Sequence, residues 1–267
     1  MSDRLDLYDT SYENYAARLY QEVRRETYGE DIGQTGWMTT SEFRQFLAWL
    51  ELDARSRVLE VGCGAGGCAV FMAENTGCHV TGLDVNENGI RNARELARAR
   101  GLESRTRFEQ TDASRSLPFP DAAFDAVFSN DAMCHIPGRL AVLTEWRRVL
   151  RPGGRMLFTD AMIVTGLVSS QELATRSSIG YYLFLPAGEN ERLIEQAGFR
   201  LRRADDLTPS AAVIAGRWRE ARARRSAELI KIEGEPNFGG LQKFLAAVET
   251  LSGERRLSRF AYWAERP

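Results

Sequence analysis

Histidine, cysteine and long apolar runs are scarce in this sequence, and each scarcity excludes a class of protein. The 267 residues include two histidines and four cysteines, and the cysteines form no C-x-x-C pair. We therefore expect no metal site, because structural zinc needs clustered cysteines and histidines. A disulfide framework is not expected at this length and cysteine density. No uninterrupted apolar run approaches the roughly 20 residues that cross a bilayer.

Lysine is almost absent, and the charge balance gives no reason to expect a nucleic-acid partner. Two lysines accompany a formal net charge of −2, so no global attraction to nucleic acid is expected. The basic stretch RWREARARRSAELIK at 217–231 reflects a preference for arginine throughout the chain. Glu220 precedes Arg224 by four residues, the favourable order for a helical ion pair. We interpret this stretch as a solvated helix face rather than a phosphate-binding patch.

The N-terminal residues show no targeting pattern. Residues 1–15, MSDRLDLYDTSYENY, are acidic and rich in tyrosine, without a basic region followed by an apolar one. We therefore expect a cytoplasmic protein with no membrane association, either a monomer or a homodimer.

From residue 58 onward, short apolar strands alternate with amphipathic helices, which indicates a parallel α/β sheet. LRPGG at 150–154 is predicted to stop a helix and form a turn, because Pro152 cannot continue the helix. The predicted helices occupy residues 66–75, 88–100, 139–150 and 190–197. The predicted strands occupy residues 58–62, 79–85, 106–111, 126–130, 155–160, 199–205 and 259–265.

Two regions interrupt this alternation. Residues 1–50 are rich in Tyr, Trp and Phe, and residues 209–253 form a predicted helical insertion before the last strand. Helices inserted at the loop end of an α/β sheet often cover the ligand crevice. We expect an N-terminal cap at 1–50, a lid at 209–253, and a ligand-binding domain made of 51–208 and 254–267. The alternative is that both regions pack against the edge of the sheet.

The stretch VLEVGCGAGG at 58–67 leads an apolar strand into a turn with four glycines. Gly62, Gly64 and Gly67 fit the pattern G-x-G-x-x-G, and Gly66 also fits G-x-G-x-G. Such a turn lets the backbone approach a ligand, with a helix N-terminus behind it. The pattern alone does not distinguish a dinucleotide from another adenosine-containing cofactor.

Three carboxylates near this turn constrain the cofactor. Asp84 ends the second predicted strand, 22 residues after Gly62, where a carboxylate can accept both hydroxyls of an adenosine ribose. Asp112, followed by Ala113, comes after the third strand and can accept from an adenine amino group. Glu60 lies just before the glycines, where it would repel a diphosphate and favour a cation. The set favours an adenosine joined to a cationic group such as a sulfonium.

These motifs resemble the class I S-adenosylmethionine-dependent methyltransferases. The resemblance rests on VLEVGCGAGG, VTGLDV, TDA, LPFPDAAFDAVFSNDAMCHI and RVLRPGG, in this order between residues 58 and 160. It implies a Rossmann-like sheet of seven strands, mostly parallel with an antiparallel last strand, and S-adenosyl-L-methionine as cofactor. It also implies that the glycine turn holds the methionine part of the cofactor, with Glu60 near the amino end. Asp84 would then bind the ribose, and Asp112 and the Ala113 backbone the adenine.

We predict further cofactor contacts outside these motifs, with Trp37 as an aromatic wall in the N-terminal cap. The full predicted set of cofactor-binding residues is Glu60, Gly62, Gly64, Gly66, Asp84, Val85, Asp112, Ala113, Asn130, Gln34 and Trp37.

A narrower resemblance covers more of the chain. YGEDIGQTGW, SNDAMCHI and the insertion before RFAYWAE are similar to small-molecule amine methyltransferases of the phosphoethanolamine type, and the layout is shared with glycine and sarcosine methyltransferases. The chain departs from the phosphoethanolamine enzymes at Asn130, where they carry an arginine. Their phosphate-binding residues are matched only by region, with Arg176, Tyr181 and Tyr182 in a comparable place.

His135 is the candidate catalytic base, because the other histidine, His79, opens the second predicted strand. Asp131 lies four residues earlier and would either orient the imidazole or hold an ammonium substrate. Tyr15 corresponds in the resembling family to a tyrosine that latches the base. The structural alternative is that His135 only packs beneath the lid.

The sequence thus predicts a methyltransferase that acts on a small molecule, and we expect an amine nitrogen as the methyl acceptor. The alternatives are an O-methyltransferase of a small natural product or a C-methyltransferase and, more distantly, an NAD-dependent dehydrogenase. A non-catalytic cofactor-binding protein would keep the cofactor motifs but tolerate the loss of His135, Asp131 and the aromatic cap, all of which are present here. The acceptor pocket is expected from residues 1–50, 163–188 and 209–253.

Overall fold

The computed structural model describes residues 7–267, so residues 1–6 of the predicted cap lie outside the described part of the chain. Strands occur where β-branched and aromatic residues cluster between turns, as predicted. They are β1 (Arg57–Val61), β2 (His79–Asp84), β3 (Thr106–Gln110), β4 (Phe124–Ser129), β5 (Leu150–Val164), β6 (Leu185–Pro186), β7 (Arg200–Asp206) and β8 (Leu257–Glu265).

The strands form one sheet in the order β3-β2-β1-β4-β5-β8-β7, and β6 pairs with β5 outside this path. β8 runs antiparallel to both β5 and β7, whereas the other paired strands are parallel. The predicted Rossmann-like sheet with an antiparallel last strand is confirmed, with the two-residue β6 as an addition to the seven predicted strands.

Some of the helices begin at side chains that cap them. Thr39 and Glu42 form a reciprocal capping box at the start of α3 (Thr40–Leu50), and the Asn86 side chain accepts from Gly89 N at the start of α5 (Glu87–Ala99). The helices are α1 (Leu7–Glu13), α2 (Arg18–Tyr28), α3 (Thr40–Leu50), α4 (Gly67–Thr76), α5 (Glu87–Ala99), α6 (Arg139–Val149), α7 (Ser170–Arg176), α8 (Glu189–Gln196), α9 (Thr208–Ala223), α10 (Ser226–Glu233) and α11 (Glu235–Gly253).

The segment 150–154 differs from its prediction. The helix stops before it, as expected, but Leu150 already pairs with Phe124, and the ladder resumes when Arg155 pairs with Ala126. Four residues on β5, 151–154, therefore lie opposite one residue on β4, Asp125, and the extra residues bulge out around Gly153, which has a φ of 74°. The predicted turn is an irregular start of β5.

Two layers of helices cover the sheet because successive strand residues face opposite sides. Val58 packs with α3, α4 and α5, whereas Leu59 packs with α6 and α8. Phe43 and Phe46 of α3 are fully buried in the first layer. Part of the predicted 1–50 cap is therefore built into the core of the sheet domain.

The rest of the N-terminal region meets the predicted lid. Val23 of α2 packs against Ala221 of α9 and Leu229 of α10. The Tyr20 hydroxyl donates to Glu233 Oε1 at 2.6 Å, so a buried hydrogen bond also joins α2 to α10. None of the helices in the described ranges combines the length and apolar character that crossing a bilayer requires.

Candidate active site

The turn between β1 and α4 contains the predicted glycines. Gly62, Gly64 and Gly66 have φ angles of 74°, 51° and 78°, in the left-handed region that glycine tolerates best. A side chain at Gly62 would also collide with the Cβ of Ala132. The turn therefore needs glycine both for its backbone conformation and for its close approach to the segment after β4.

The backbone N–H groups of this turn are used within the protein. Gly62 and Cys63 both donate to Leu83 O, at 2.8 and 2.9 Å, and Gly64 donates to Asp84 Oδ2 at 2.8 Å. A phosphate-binding turn instead points such donors at its ligand. This turn shapes the site without offering those three N–H groups to an anion.

Asp84 lies at the end of β2, as predicted. Gly64 N donates to its Oδ2, and Asn86 N donates to its Oδ1 at 2.9 Å. Burial raises the pKa of the Asp84 carboxyl above its ordinary value. A carboxylate fixed in this way keeps lone pairs with which to accept from hydroxyl groups of a ligand.

A cavity of about 420 Å³ lies at the carboxyl ends of the parallel strands. It includes the gap between β1 and β4, where the strand order reverses and where open α/β sheets bind ligands. Nine of the predicted site residues line it: Gly62, Asp84, Val85, Asp112, Ala113, Asn130, Asp131, His135 and Trp37.

The cavity wall beside β2 and β3 suits a flat ring with a polar edge. Val85 is 63% exposed and presents an apolar surface to the cavity. Asp112 Oδ1 accepts from Ser114 N at 3.0 Å, and its Oδ2 accepts from Arg115 Nε at 3.2 Å. These bonds hold the Asp112 carboxylate at the cavity edge next to Ala113.

Five predicted site residues lie outside the cavity lining: Glu60, Gly64, Gly66, Gln34 and Tyr15. Gly64 and Gly66 shape the turn. Gln34 holds its own loop, since its Nε2 donates to Glu30 O at 3.0 Å and its Oε1 accepts from Ile32 N at 2.8 Å. The Tyr15 hydroxyl donates to Gly33 O at 2.8 Å. Tyr15 thus supports the loop around Gly33 and not the imidazole of His135.

Glu60 lies beneath the glycine turn and is buried. Its Oε2 has no hydrogen-bond partner among the described residues. Burial, together with the nearby Asp84 carboxylate, raises the pKa of Glu60 well above its ordinary value. Its carboxyl therefore favours the protonated form until a donor or cation approaches.

His135 ends a short 3₁₀ turn, Met133–His135, after β4 and lines the cavity. Its Nδ1 lies 2.8 Å from Tyr181 O, and its ring centroid lies 4.4 Å from that of Tyr182. A carbonyl oxygen only accepts, so Nδ1 carries the proton and Nε2 is the basic nitrogen of the neutral ring. Burial lowers the pKa of His135, which keeps the ring neutral near pH 7.

Asp131 has hydrogen-bond partners other than the ones predicted for it. Its Oδ1 accepts from Arg259 Nε at 2.9 Å and from Thr159 Oγ1 at 2.8 Å, and its Oδ2 accepts from Trp37 N at 2.9 Å. The neighbouring Asn130 Oδ1 accepts from Arg259 Nη2 at 3.1 Å. The Asp131 carboxylate is neutralised by a guanidinium, which weakens both predicted roles, orienting His135 and holding an ammonium.

Arg176, which the sequence matched only by region to phosphate-binding residues, is a charged group in the cavity lining. It ends α7 and is 2% exposed. Its guanidinium carbon lies 4.7 Å from the ring centroid of Phe244, 4.9 Å from that of Tyr182 and 5.8 Å from that of Trp37. Its Nη1 has no hydrogen-bond partner among the residues described.

The aromatic wall around Arg176 comes from segments far apart in the chain. Trp37 packs against Trp218 of α9 and Phe244 of α11, with ring centroids 6.1 and 6.2 Å apart. Trp37 thus belongs to a group of aromatic rings on the side of the cavity formed by α9 and α11, and its contact with the cofactor stays a prediction. Only the isolated aromatic residues in an arginine-rich insertion could have indicated Trp218 and Phe244 beforehand.

Comparison with known proteins places this geometry among methyl-transferring proteins. A family model described as a methyltransferase domain matches residues 58–154. The chain is similar to 27-O-demethylrifamycin SV methyltransferase of Amycolatopsis mediterranei, with 30% identity over 255 residues that cover 94% of this chain and 88% of the relative.

Two further similarities concern N-methyltransferases. The glycine/sarcosine/dimethylglycine N-methyltransferase of Actinopolyspora halophila is 33% identical over 70% of this chain, which spans 33% of that longer protein. The crystal structure of Haemonchus contortus phosphoethanolamine N-methyltransferase 2, with phosphomonomethylethanolamine and S-adenosylhomocysteine, has a TM-score of 0.80 at 20% identity. The match covers 98% of this chain and 60% of that one, and it supports the fold.

Proposed function

The chain belongs to the S-adenosylmethionine-dependent methyltransferases, and from this premise we propose that it methylates a hydroxyl oxygen of a small molecule that also bears an acidic group. One observation carries the proposal: beyond the carboxylates suited to the cofactor, the cavity holds a neutral histidine, His135, and a buried cation, Arg176.

The cofactor fits the part of the cavity beside β1, β2 and β3. Asp84 would accept from the ribose hydroxyls, Asp112 would accept from the adenine amino group, and Val85 would pack against the ring. When bound, S-adenosylmethionine supplies an electrophilic methyl group on a sulfonium. The internal use of the turn's N–H groups supports this cofactor over NAD, because a diphosphate would need those donors.

His135 is the group that would take the acceptor's proton. Its Nδ1 donates to Tyr181 O, so Nε2 is the ring nitrogen that would accept the proton of an acceptor hydroxyl. A hydroxyl is a weak nucleophile while protonated, and a base within hydrogen-bond reach strengthens it. The walls formed by Trp37 and Tyr182 would hold the acceptor in line and exclude water.

Arg176 supports an acidic acceptor. A buried guanidinium with an unpaired N–H group carries a desolvation penalty that an anion relieves through a charge-assisted hydrogen bond. The surrounding rings stabilise its charge without supplying such an acceptor. A carboxylate or phosphate on the substrate would complete this site.

The contacts of Asp131 support a hydroxyl as the methyl acceptor. A carboxylate is a common partner of an ammonium group, and the Asp131 carboxylate already pairs with Arg259 at 2.9 Å. We therefore propose a hydroxyl oxygen as the methyl acceptor in preference to the amine nitrogen that the sequence predicts. The amine is the second candidate, supported by the N-methyltransferases among the similar proteins.

The test is a set of matched acceptors that share one carbon skeleton: a hydroxy acid, its neutral hydroxy amide, and the corresponding amino acid. We expect S-adenosylhomocysteine release with the hydroxy acid at a kcat/KM about 10-fold or more above that of the amide, because one charge-assisted hydrogen bond is lost. Equal turnover of the amide would remove the acidic group from the proposal. Preference for the amino acid would identify a nitrogen, and not an oxygen, as the methyl acceptor.

A further inference from the structure

A short segment before α3 lines the cavity and is hydrogen-bonded to two other parts of the chain. Residues 35–37, called the strap below, all line the cavity. The Tyr28 hydroxyl donates to Gly36 O at 2.9 Å, and Trp37 N donates to Asp131 Oδ2 at 2.9 Å. The strap is thus hydrogen-bonded to Tyr28 of α2 through Gly36 and to Asp131, two residues after β4, through Trp37.

The fit at Gly36 is close. A Cβ at this position would lie 2.8 Å from Asp131 Oδ2 and 2.9 Å from Asn130 Nδ2, closer than such atoms normally approach. A side chain at position 36 would therefore force Asn130 and Asp131 to shift from their present positions. The carboxylate that binds Trp37 N also forms the surface against which Gly36 packs.

Arg259 of β8 orients that surface. It is fully buried, with Nε 2.9 Å from Asp131 Oδ1, Nη2 3.1 Å from Asn130 Oδ1 and Nη1 3.4 Å from Glu42 Oε1. Glu42 also forms the capping box with Thr39 that starts α3, directly after the strap. One guanidinium therefore contacts both residues beneath the strap and the helix that follows it.

A contribution to folding stability does not by itself explain the buried ion pair between Arg259 and Asp131. Buried ion pairs often contribute little net stability, because removing both charges from water offsets much of their attraction. Asp131 also has a φ of 52°, an uncommon conformation for a residue other than glycine. A charged residue that keeps such a conformation beside a cavity indicates that the position of its carboxylate matters.

We infer that Arg259 is a positioning residue that acts through Asp131 to hold the strap closed over the cavity, so that Asp131 serves the strap and not the acceptor. The inference rests on the proposed function only in placing the cofactor beneath the strap. It gives the last strand a part in ligand binding, although Arg259 itself does not line the cavity.

The experiment measures S-adenosylhomocysteine affinity by calorimetry and strap protection by hydrogen exchange of a peptide that contains Trp37. In Gly36→Ala, which alters no charge, we expect Kd to rise about 10-fold or more and exchange of the Trp37 amide to accelerate, since this amide loses its acceptor. Gly239→Ala is the matched control, because a Cβ at Gly239 meets nothing within 4 Å. Its Kd should equal that of the parent.

Arg259→Lys tests the guanidinium itself. A lysine ammonium cannot bridge Asp131, Asn130 and Glu42 at once, so we expect higher Kd and faster Trp37 exchange than in the parent. Arg222→Lys is its control, because Arg222 forms an equally buried pair with Glu233, 2.9 Å from Nη1 to Oε1, away from the cavity lining. That variant should lose thermal stability and keep its Kd.

Parental Kd and parental Trp37 exchange in Gly36→Ala would overturn the inference, because ligand binding would then not depend on the contact between the strap and Asp131. This result can be obtained even if Arg259→Lys does not fold. An unchanged Kd in Arg259→Lys with a lowered Tm would reduce Arg259 to a structural role. If the parent protein fails to bind S-adenosylhomocysteine, the proposed function fails, while the exchange rate of Trp37 still reports whether Arg259 holds the strap.

Discussion

At the scale of single residues, the contacts of Asp84 connect the glycine turn to the ligand side of the cavity. Asp84→Ala removes the proposed ribose acceptor and leaves two hydroxyls unpaired, which costs about 1–3 kcal/mol. We expect S-adenosylhomocysteine Kd to rise roughly 5- to 150-fold by calorimetry. Because Asp84 also accepts from Gly64 N, the Tm of the unliganded variant must be measured beside it. Parental affinity would refute the ribose assignment.

His135 gives a prediction with a defined pH dependence. His135→Gln should lower kcat by about 10²- to 10⁴-fold with little change in cofactor affinity. Burial lowers the pKa of His135, so the basic, neutral ring persists below its ordinary pKa of about 6.5. The acidic limb of kcat/KM should therefore lie below pH 6.5.

The exposed histidine at the start of β2 supplies the control for this experiment. His79→Gln should keep parental kcat, because His79 lies outside the cavity lining. Parental kcat in His135→Gln would mean that His135 only packs, and catalysis would then depend on proximity. An acidic limb above pH 6.5 would contradict the lowered pKa.

Substitution of Arg176 tests whether this residue recognises the substrate or stabilises the fold. Arg176→Met removes a buried charge whose Nη1 has no partner among the described residues, so Tm should hold or rise, while kcat/KM for the acidic acceptor falls about 10-fold or more. Arg222→Met, by contrast, leaves the buried Glu233 carboxylate without the guanidinium that neutralises its charge and should lower Tm. A Tm loss in Arg176→Met as large as in Arg222→Met would show that Arg176 is a structural residue.

At the scale of elements, local sequence predicted the strands and helices of the sheet well, because their apolar periodicity is local. The glycine turn and Asp84 could be placed because both lie at strand ends of consecutive β–α units. The partners of Asp131 could not be predicted, since Arg259 is 128 residues away and Trp37 is 94 residues away along the chain. The sequence does show an isolated charge at Arg259 in the apolar stretch RFAYWAE, as it does at Glu60 in VLEV. Such a charge indicates that the residue has a buried partner, but not which one.

The N-terminal helices have separate roles that a single predicted cap did not distinguish. Phe43 and Phe46 place α3 in the core, whereas α2 packs on α9. Removal of residues 1–39 should thus leave a folded sheet, seen by circular dichroism, that binds S-adenosylhomocysteine poorly and does not turn over acceptor. Full activity of this truncated chain would exclude the strap and α2 from the mechanism.

At the scale of the whole molecule, the choice of cofactor should appear in thermal stability. S-adenosylhomocysteine at 100 times its Kd should stabilise the fold by about 2.7 kcal/mol, which corresponds to a Tm increase of roughly 5–10 °C. NAD should leave Tm unchanged, because the turn's N–H groups at Gly62, Cys63 and Gly64 are donated within the protein. An equal shift with NAD would contradict this account of the turn. Cytoplasmic location and a monomeric or homodimeric state stay predictions from the sequence.

The most direct test of the central claim is a crystal structure of the protein with S-adenosylhomocysteine. The account predicts ribose hydroxyls within hydrogen-bond distance of the Asp84 carboxylate, about 2.5–3.0 Å, and adenine between Val85 and Asp112. The cofactor sulfur should face the part of the cavity that contains His135 and Arg176, beneath a closed strap. A cofactor bound with its sulfur turned away from His135, or with its ribose away from Asp84, would contradict the account.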